Sequence, residues 1–582
     1  MMKTRKTGAL PRMLAGLGVL LLFSAVVALL GECIWRGSIH EGVLWAGSYR
    51  MFYGRQVLFV LLMALLVLAL SRRAGLSCGI SAGVLTVFAL VNKFKIYLRE
   101  EPFKFSDIYQ ISEGFSAGIR YQLPMDRFTW LLIALVVLTV LLMCGIHLSR
   151  QKWRWRLAQA ALAAGLMAVL GISGMEAYSN TAAFSQIELY QKNGLFGGFT
   201  CTLPRKIREP DDYSKETVDR MLSSGPVPRK AEEAPDIFFF MCESLYDICR
   251  DPDITVSEDP LSNLRRLQAE GWQGNLLVSQ YGGGTANTEY EILTGYRAID
   301  IEGTAYVIEN SMRQGMDSLP SLLERYGYRT TAIHPGPPMF YSRRTAYQKL
   351  GFDRSLFTED LTHAPVEFEG GVPSDHWLFG EILELWKQDR GNAPNFYYVV
   401  THQNHGGFSS LQVEQQISAE GGTNPQEMNI YANLIHVTDR ELPALFDAFR
   451  DSDRPVLVVL FGDHAPSGIG IEYGDSLEKQ YFKYTTPLLV WSNFGYEMPE
   501  KDRTEIATYR LGAIILKALG YGADPYLNSL SERPDLFFRP GLVARKGTLV
   551  QEPETWQEEN GRLWMLHYDR LYGQRYASPV SP

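Results

Sequence analysis

The sequence predicts two unlike halves: an N-terminal five-helix transmembrane domain and an extracellular α/β domain with a mostly parallel central sheet. Three observations predict this. Long apolar segments crowd into residues 1–175. Beyond about residue 235, short apolar runs alternate with amphipathic helical patterns, the signature of an α/β domain. Polar residues suited to holding a metal stand just after several of those runs, where parallel sheets bind ligands. A mean hydropathy of −0.09 over 582 residues averages the two halves and conceals the split.

The apolar segments cover residues 13–30, 56–70, 76–91, 128–146 and 157–172. A bilayer core of about 30 Å takes about 20 helical residues. Lys3, Arg5, Lys6 and Arg12 precede the first segment, Arg72-Arg73 joins the second to the third, and Arg150, Lys152, Arg154 and Arg156 join the fourth to the fifth. With five spans all three clusters fall on one side, so the N-terminus is cytoplasmic and the C-terminal domain lies outside. The four segments that follow make the first an anchor, not a cleaved signal peptide. The loop over 93–127 is external in this scheme yet carries Lys93, Lys95, Arg99 and Lys104. An amphipathic segment lying on the outer surface would reconcile it with the charge rule.

A connector over 176–234 contains the Gly-rich stretch Tyr190-Gln-Lys-Asn-Gly-Leu-Phe-Gly-Gly-Phe and ends in a Ser/Gly/Pro loop. The outer domain follows over 235–545, with strands expected at 236–241, 274–279, 329–333, 396–400, 456–460 and 487–491. Helices are expected at 261–270, 318–326, 375–388, 424–450 and 505–519. A tail over 546–582 carries Trp556, Trp564, Tyr568 and Tyr572, aromatics placed to pack it onto that domain. The net charge of −8 and the lack of a long basic run in the outer half give no nucleic-acid signal. Six cysteines without a CxxC pair argue against a zinc ribbon. Cys242 and Cys249 either pair or remain free thiols.

The chemistry gathers at the strand ends. Glu243 follows Asp236-Ile-Phe-Phe-Phe-Met-Cys, and Asp463-His464 follows Pro455-Val-Leu-Val-Val-Leu-Phe-Gly. Thr285 follows Tyr281-Gly-Gly-Gly and opens a helix closed by Gly295. There it is either an N-cap or, beside a cation, a nucleophile. Glu243, Asp463, His464 and the Thr285 oxygen form a mixed O/N set that suits one divalent cation: manganese, magnesium or zinc. His405, with His402 as its rival, could protonate a leaving group. His334, Tyr341 and Arg343 lie in or beside a Gly/Pro-rich loop. Arg343 is either a bidentate phosphate grip or a surface arginine.

Met241-Cys-Glu-Ser, Gly283-Gly-Thr-Ala-Asn-Thr-Glu289, Asn404-His405 and Gly462-Asp-His464, together with the apolar spans, resemble the lipoteichoic acid synthase and phosphoglycerol transferase family of the alkaline phosphatase/sulfatase superfamily. The resemblance implies a sulfatase-like outer domain holding one cation, usually manganese, on Glu243, Thr285, Asp463 and His464. It implies that Thr285 takes glycerophosphate from phosphatidylglycerol, releases diacylglycerol, and passes the group to a glycolipid or polyol-phosphate acceptor. His405 would stand near the phosphoryl group, with His334, Tyr341 and Arg343 lining the glycerol-phosphate pocket. Two departures bear on acceptor recognition: Pro335-Gly336-Pro337-Pro338 stands where an acidic residue often follows the histidine, and Tyr341 replaces a tryptophan. The C/S-x-P-x-R motif of sulfatases is absent around Thr285. A phosphoethanolamine transferase, or another phosphotransferase or hydrolase of the superfamily, is the alternative. A silent envelope-binding protein is disfavoured because all four ligands are present. A transporter is disfavoured because few ionisable residues interrupt the apolar segments.

Overall fold

The computed structural model describes residues 9–99, 102–110, 125–144, 153–179, 186–203, 209–222, 234–300, 315–338, 341, 343–391, 393–408, 413–498, 504–522 and 524–578. The chain forms two compact units, one of Met1–Tyr109 with Leu123–Pro204, the other of Gln110–Gln122 with Arg205–Pro582. The boundary between them falls inside the 176–234 segment.

The first unit is helical. Among the described residues, four helices are long and apolar enough to cross a bilayer: Ala15–Arg36, Arg50–Ser71, Ala74–Tyr97 and Arg127–Cys144. The fifth expected span lies in the helix Trp153–Ser179 and is not among those four. Leu20, Phe23, Val27, Val60, Leu132 and Val136 form the interior. Leu22, Leu70, Leu141 and Leu142 stay more than 60% exposed, the outward face expected of helices whose solvent is hydrocarbon.

Two features of this unit have a physical cause in the sequence. Lys93 pairs with Asp126 at 3.3 Å and Lys95 with Asp107 at 2.7 Å, so two of the four misplaced basic residues are locally neutralised. Phe105–Gln110 is a short 3-10 helix, and residues 111–124 of that loop lie outside the described residues. The Gly-rich stretch of the connector is a broken helix, Gln186–Cys201, with Gly194 at φ +74°. A Cβ there would sit 2.3 Å from the Trp45 ring, so only glycine fits. The break frees two backbone N–H groups. Leu195 donates to Glu32 at 2.7 Å and Phe196 to Gln56 at 3.2 Å.

The second unit is built on an eight-stranded sheet. In chain order its strands are β1 (Asp236–Cys242), β2 (Trp272–Leu277), β3 (Arg329–His334), β4 (Arg354–Phe357), β5 (Asn395–Val400), β6 (Val456–Gly462), β7 (Thr485–Ser492) and β8 (Glu505–Ala507). Across the sheet they run β8-β2-β7-β6-β1-β5-β3-β4. Only β7 is antiparallel to its neighbours, so the sheet is mostly parallel. β1 and β6 are buried at every position because helices cover both faces. Along β1, Ile237, Phe239 and Met241 enter one core, and Phe238, Phe240 and Cys242 the other. This is the period-two alternation of a strand.

Two local expectations change. Residues 505–507 are not the start of a helix, because Ile506 pairs in register with Leu276 as the edge strand β8 before the helix Thr508–Ala518 begins. β4, which extends the other edge, has only four residues and no apolar run to announce it. The expected tail begins in the turn of a hairpin, Leu542–Arg545 with Thr548–Gln551, and continues as the helix Pro553–Leu571, which places Leu563 and Leu566 in the core.

Candidate active site

β6, β1, β5 and β3 are adjacent and parallel, so their carboxyl ends deliver side chains to one place. β1 ends at Cys242 and hands over Glu243, and β6 ends at Gly462 and hands over Asp463 and His464. β5 is followed by Thr401, whose Oγ1 accepts the Glu243 backbone N–H at 3.0 Å. Ser244, in the left-handed region at φ +49°, donates its N–H to Asp463 Oδ1 at 2.7 Å and its hydroxyl to Glu243 Oε1 at 2.8 Å. Sequence reasoning gave Ser244 and Thr401 no role. Small hydroxyl residues beside strand ends carry no distinctive signal.

Thr285 is the first residue of the helix Thr285–Thr294, and the N-cap is Gly284. Gly282, Gly283 and Gly284 all have positive φ, which explains the triple glycine. The Thr285 hydroxyl is therefore not a capping group. Its Oγ1 lies 3.3 Å from Glu243 Oε2 and 3.4 Å from His464 Nε2. Thr288, on the same helix, donates to the carbonyl of Asp463 at 3.0 Å and ties helix to strand end.

Ligand atoms of Glu243, Asp463 and His464 lie within 4.8 Å of one another, and all three residues are buried. His464 Nδ1 stands 3.1 Å from the Ala465 carbonyl, so that nitrogen carries the proton and Nε2 presents a lone pair. Asp463 Oδ2 is buried without a hydrogen-bond partner. Burial and the Glu243 carboxylate push Asp463 up to about 7. Burial would raise Glu243 too, but neighbours led by His405, with the Ser244 hydroxyl, outweigh it and hold Glu243 below the usual carboxylate range. Two crowded acids, an orphaned oxygen and an aimed imidazole lone pair fit a divalent cation, and the donor set does not select among manganese, magnesium and zinc.

The remaining predicted residues form a second cluster. His334, the last residue of β3, is buried; its Nδ1 donates to the Val400 carbonyl at 3.1 Å and its Nε2 accepts from Arg343 Nη1 at 3.0 Å. Burial and the Arg343 charge hold this imidazole neutral, well below the ordinary histidine range. Arg343 opens the helix Arg343–Lys349 and is 2% exposed, so it is not a surface arginine. Its Nε and Nη2 reach Glu289 Oε1 at 3.0 and 2.7 Å, and the Tyr341 ring centroid lies 5.0 Å from its guanidinium carbon. Tyr347 donates to Glu289 Oε2 at 2.6 Å. The roles of Glu289 and Tyr347 were missed. Glu289 stands inside a quoted motif, but its partner is 54 residues further along the chain.

His402 and His405 follow β5, with ring centroids 5.3 Å apart. His402 is buried, and that burial, with His405 and Arg343 nearby, pushes it down to about 3. His405 is half-buried, with Nδ1 3.2 Å from the Gly406 carbonyl. Cys242 is buried, Cys249 is exposed, and both are free thiols.

Known proteins resemble parts of this chain. Residues 235–521 match the sulfatase family. A Rhizobium meliloti (strain 1021) protein named for cyclic beta-1,2-glucan modification is 28% identical over 420 residues, which cover 68% of this chain and 64% of that protein. The chain thus matches just under two thirds of that relative's length. The capsular polysaccharide biosynthesis protein RkpI of the same organism is 26% identical over 412 residues, covering 66% of this chain and 73% of its own. Among solved structures, the Streptococcus pyogenes phosphoglycerol transferase GacH in complex with sn-glycerol-1-phosphate superposes with a TM-score of 0.52 at 22% identity, covering 64% of this chain and 97% of that one. That likeness concerns the fold. A sulfatase domain thus occupies residues 235–521, just under half of the chain.

Proposed function

We propose that the protein is a membrane-anchored phosphoglycerol transferase that moves glycerophosphate from phosphatidylglycerol to an acceptor hydroxyl. The observation that carries this reading is the Thr285 hydroxyl, which caps no helix and sits between Glu243 and His464. Glu243, Asp463, His464 and the Thr285 oxygen would hold the cation, for which manganese is the proposed ion. When bound, it would favour the ionised threonine oxygen and offset phosphoryl charge.

The steps by this chain's residues are then simple. The Thr285 hydroxyl gives its proton to solvent, and the Oγ–phosphorus bond forms as the phosphorus–oxygen bond to diacylglycerol breaks. His405 gives the departing oxygen its proton, a task for which neutral, buried His402 is unsuited. An acceptor hydroxyl later yields its proton to His405 and takes the glycerophosphoryl group, and Thr285 is released. Arg343 contributes the headgroup grip, with its guanidinium oriented by three N–H bonds to Glu289 and His334. Glu289 is occupied by Arg343 and Tyr347, so it offers no counter-charge to an ammonium. That supports a neutral glycerol headgroup over ethanolamine. The names of the two R. meliloti relatives support a glycan hydroxyl as acceptor. The reading includes five spans, an extracellular outer domain with catalytic residues within 235–545, and a packed tail over 546–582.

The test is diacylglycerol release from fluorescent phosphatidylglycerol with manganese. Wild-type protein should release it, and Thr285→Ala should lower the rate at least about 10³-fold, as loss of a nucleophile does. Turnover of phosphatidylethanolamine in place of phosphatidylglycerol would transfer the assignment to a phosphoethanolamine transferase.

A further inference from the structure

We propose that Glu289 is a positioning residue that couples the grip of Arg343 to the nucleophile Thr285, so that donor phosphate and attacking oxygen share one rigid frame. The inference rests on the phosphoglycerol reading for its substrate, though not for its geometry. Thr285 and Glu289 are four residues apart on the helix Thr285–Thr294, so their side chains lie on one face, a turn apart. One end of that face meets Glu243 and His464, and the other holds Arg343.

The hold is complete. Glu289 Oε1 accepts Arg343 Nε and Nη2, and Oε2 accepts the Tyr347 hydroxyl. Arg343 Nη1 is fixed by His334 Nε2, which the Nδ1–Val400 bond keeps as an acceptor. All three guanidinium nitrogens are thereby oriented. A buried ion pair is a poor stabiliser compared with apolar packing of equal volume. Its value here is orientation. A grip misplaced by about 1 Å relative to the attacking oxygen can cost about a hundredfold in rate.

The experiment uses the full-length protein in detergent with manganese. Dissociation constants for sn-glycerol-1-phosphate and for inorganic phosphate are measured for wild type, Glu289→Gln, Arg343→Gln and the double variant, with manganese affinity and melting temperature alongside. Glu289→Gln should weaken glycerol-phosphate binding about tenfold, with manganese affinity unchanged. The double variant should bind no worse than Arg343→Gln alone, because Glu289 acts only through Arg343. Losses that multiply in the double variant, or Glu289→Gln binding like wild type, would overturn the coupling. If Glu289→Gln fails to fold, Tyr347→Phe, which removes one bond from the same carboxylate, should weaken binding in the same direction, and no change would count against the proposal. Phosphate binding that depends on Glu289 without any preference for glycerol phosphate would leave the coupling standing and remove the headgroup reading.

Discussion

Glu32 in the helical unit and Asp463 in the sheet-containing unit are both carboxylates with no measurable exposure, yet they are held in opposite ways. Glu32 accepts from Trp35 Nε1 at 2.7 Å, Arg36 Nε at 3.0 Å and the Leu195 backbone at 2.7 Å. Donors surround it and a cation lies beside it. Asp463 has hydrogen-bond donors on Oδ1 only, from the Ser244 and His464 backbone; its Oδ2 accepts no hydrogen bond and faces the His464 Nε2 at 3.3 Å, and another carboxylate stands within the same cluster. A satisfied buried acid is architecture: Glu32 fastens the broken helix Gln186–Cys201 to the membrane helices. A crowded, half-satisfied acid costs the fold energy and makes sense only with a ligand.

Asp463→Asn is the sharpest way to break the comparison. The amide keeps the Oδ1 acceptor and removes one of two repelling charges. Manganese affinity should fall at least about 100-fold, while the metal-free protein at pH 8 gains about 2 kcal/mol. The pH dependence follows from the same group. Asp463 is raised to about 7 in the folded chain, so between about pH 4 and 7 the folded state binds more protons than the unfolded one. The metal-free protein should therefore become more stable as pH falls through that window. Manganese needs the ionised form, so its stabilising effect should shrink over the same range. Opposite slopes with and without manganese in thermal unfolding, both flattened in Asp463→Asn, are the expected result. Parallel slopes would mean that Asp463 is an ordinary buried acid.

Glu32→Ala tests the other side. It leaves the Trp35 indole, the Leu195 N–H and the Arg36 charge without their acceptor, at a cost of about 3 kcal/mol. The solubilised protein should melt lower, while manganese-induced stabilisation of the surviving folded fraction stays at its wild-type value. A change in manganese affinity would show that the two acids are not separate in function.

The contrast also marks what a sequence reveals. Glu243, Asp463 and His464 were legible because each follows a continuous apolar run, and a buried parallel strand leaves few other places for a polar side chain to go. The strand ends therefore announced the cluster. Thr285 was half legible: the glycines located the turn, but whether its hydroxyl capped the helix depended on which residue took the N-cap position, a difference of one residue. Glu32 was hidden as one acid in an apolar helix, and its partner Leu195 is 163 residues away. Glu289 and Tyr347 were hidden for a related reason, since pairing across the fold leaves no periodicity. The edge strands β4 and β8 were lost because they are short and take their pairing from the sheet, not from their own composition.

Gly336→Ala probes the smallest of these effects, the support of Arg343 from behind. A Cβ at position 336 would lie 2.4 Å from His334 Nε2. His334 is pinned on its other side by the Val400 carbonyl, so the ring can yield only by loosening one of its two bonds. The bond to Arg343 Nη1 is the one in the path of the new methyl group. Glu289 still holds Nε and Nη2, so the guanidinium pivots without leaving. The expected outcome is a rise of about three- to tenfold in KM for phosphatidylglycerol, corresponding to about 1 kcal/mol for one displaced hydrogen bond. Manganese affinity should be unchanged, because none of its proposed ligands touches Gly336. An unchanged KM would show that Glu289 alone fixes the guanidinium and that His334 serves only to fill the space behind it.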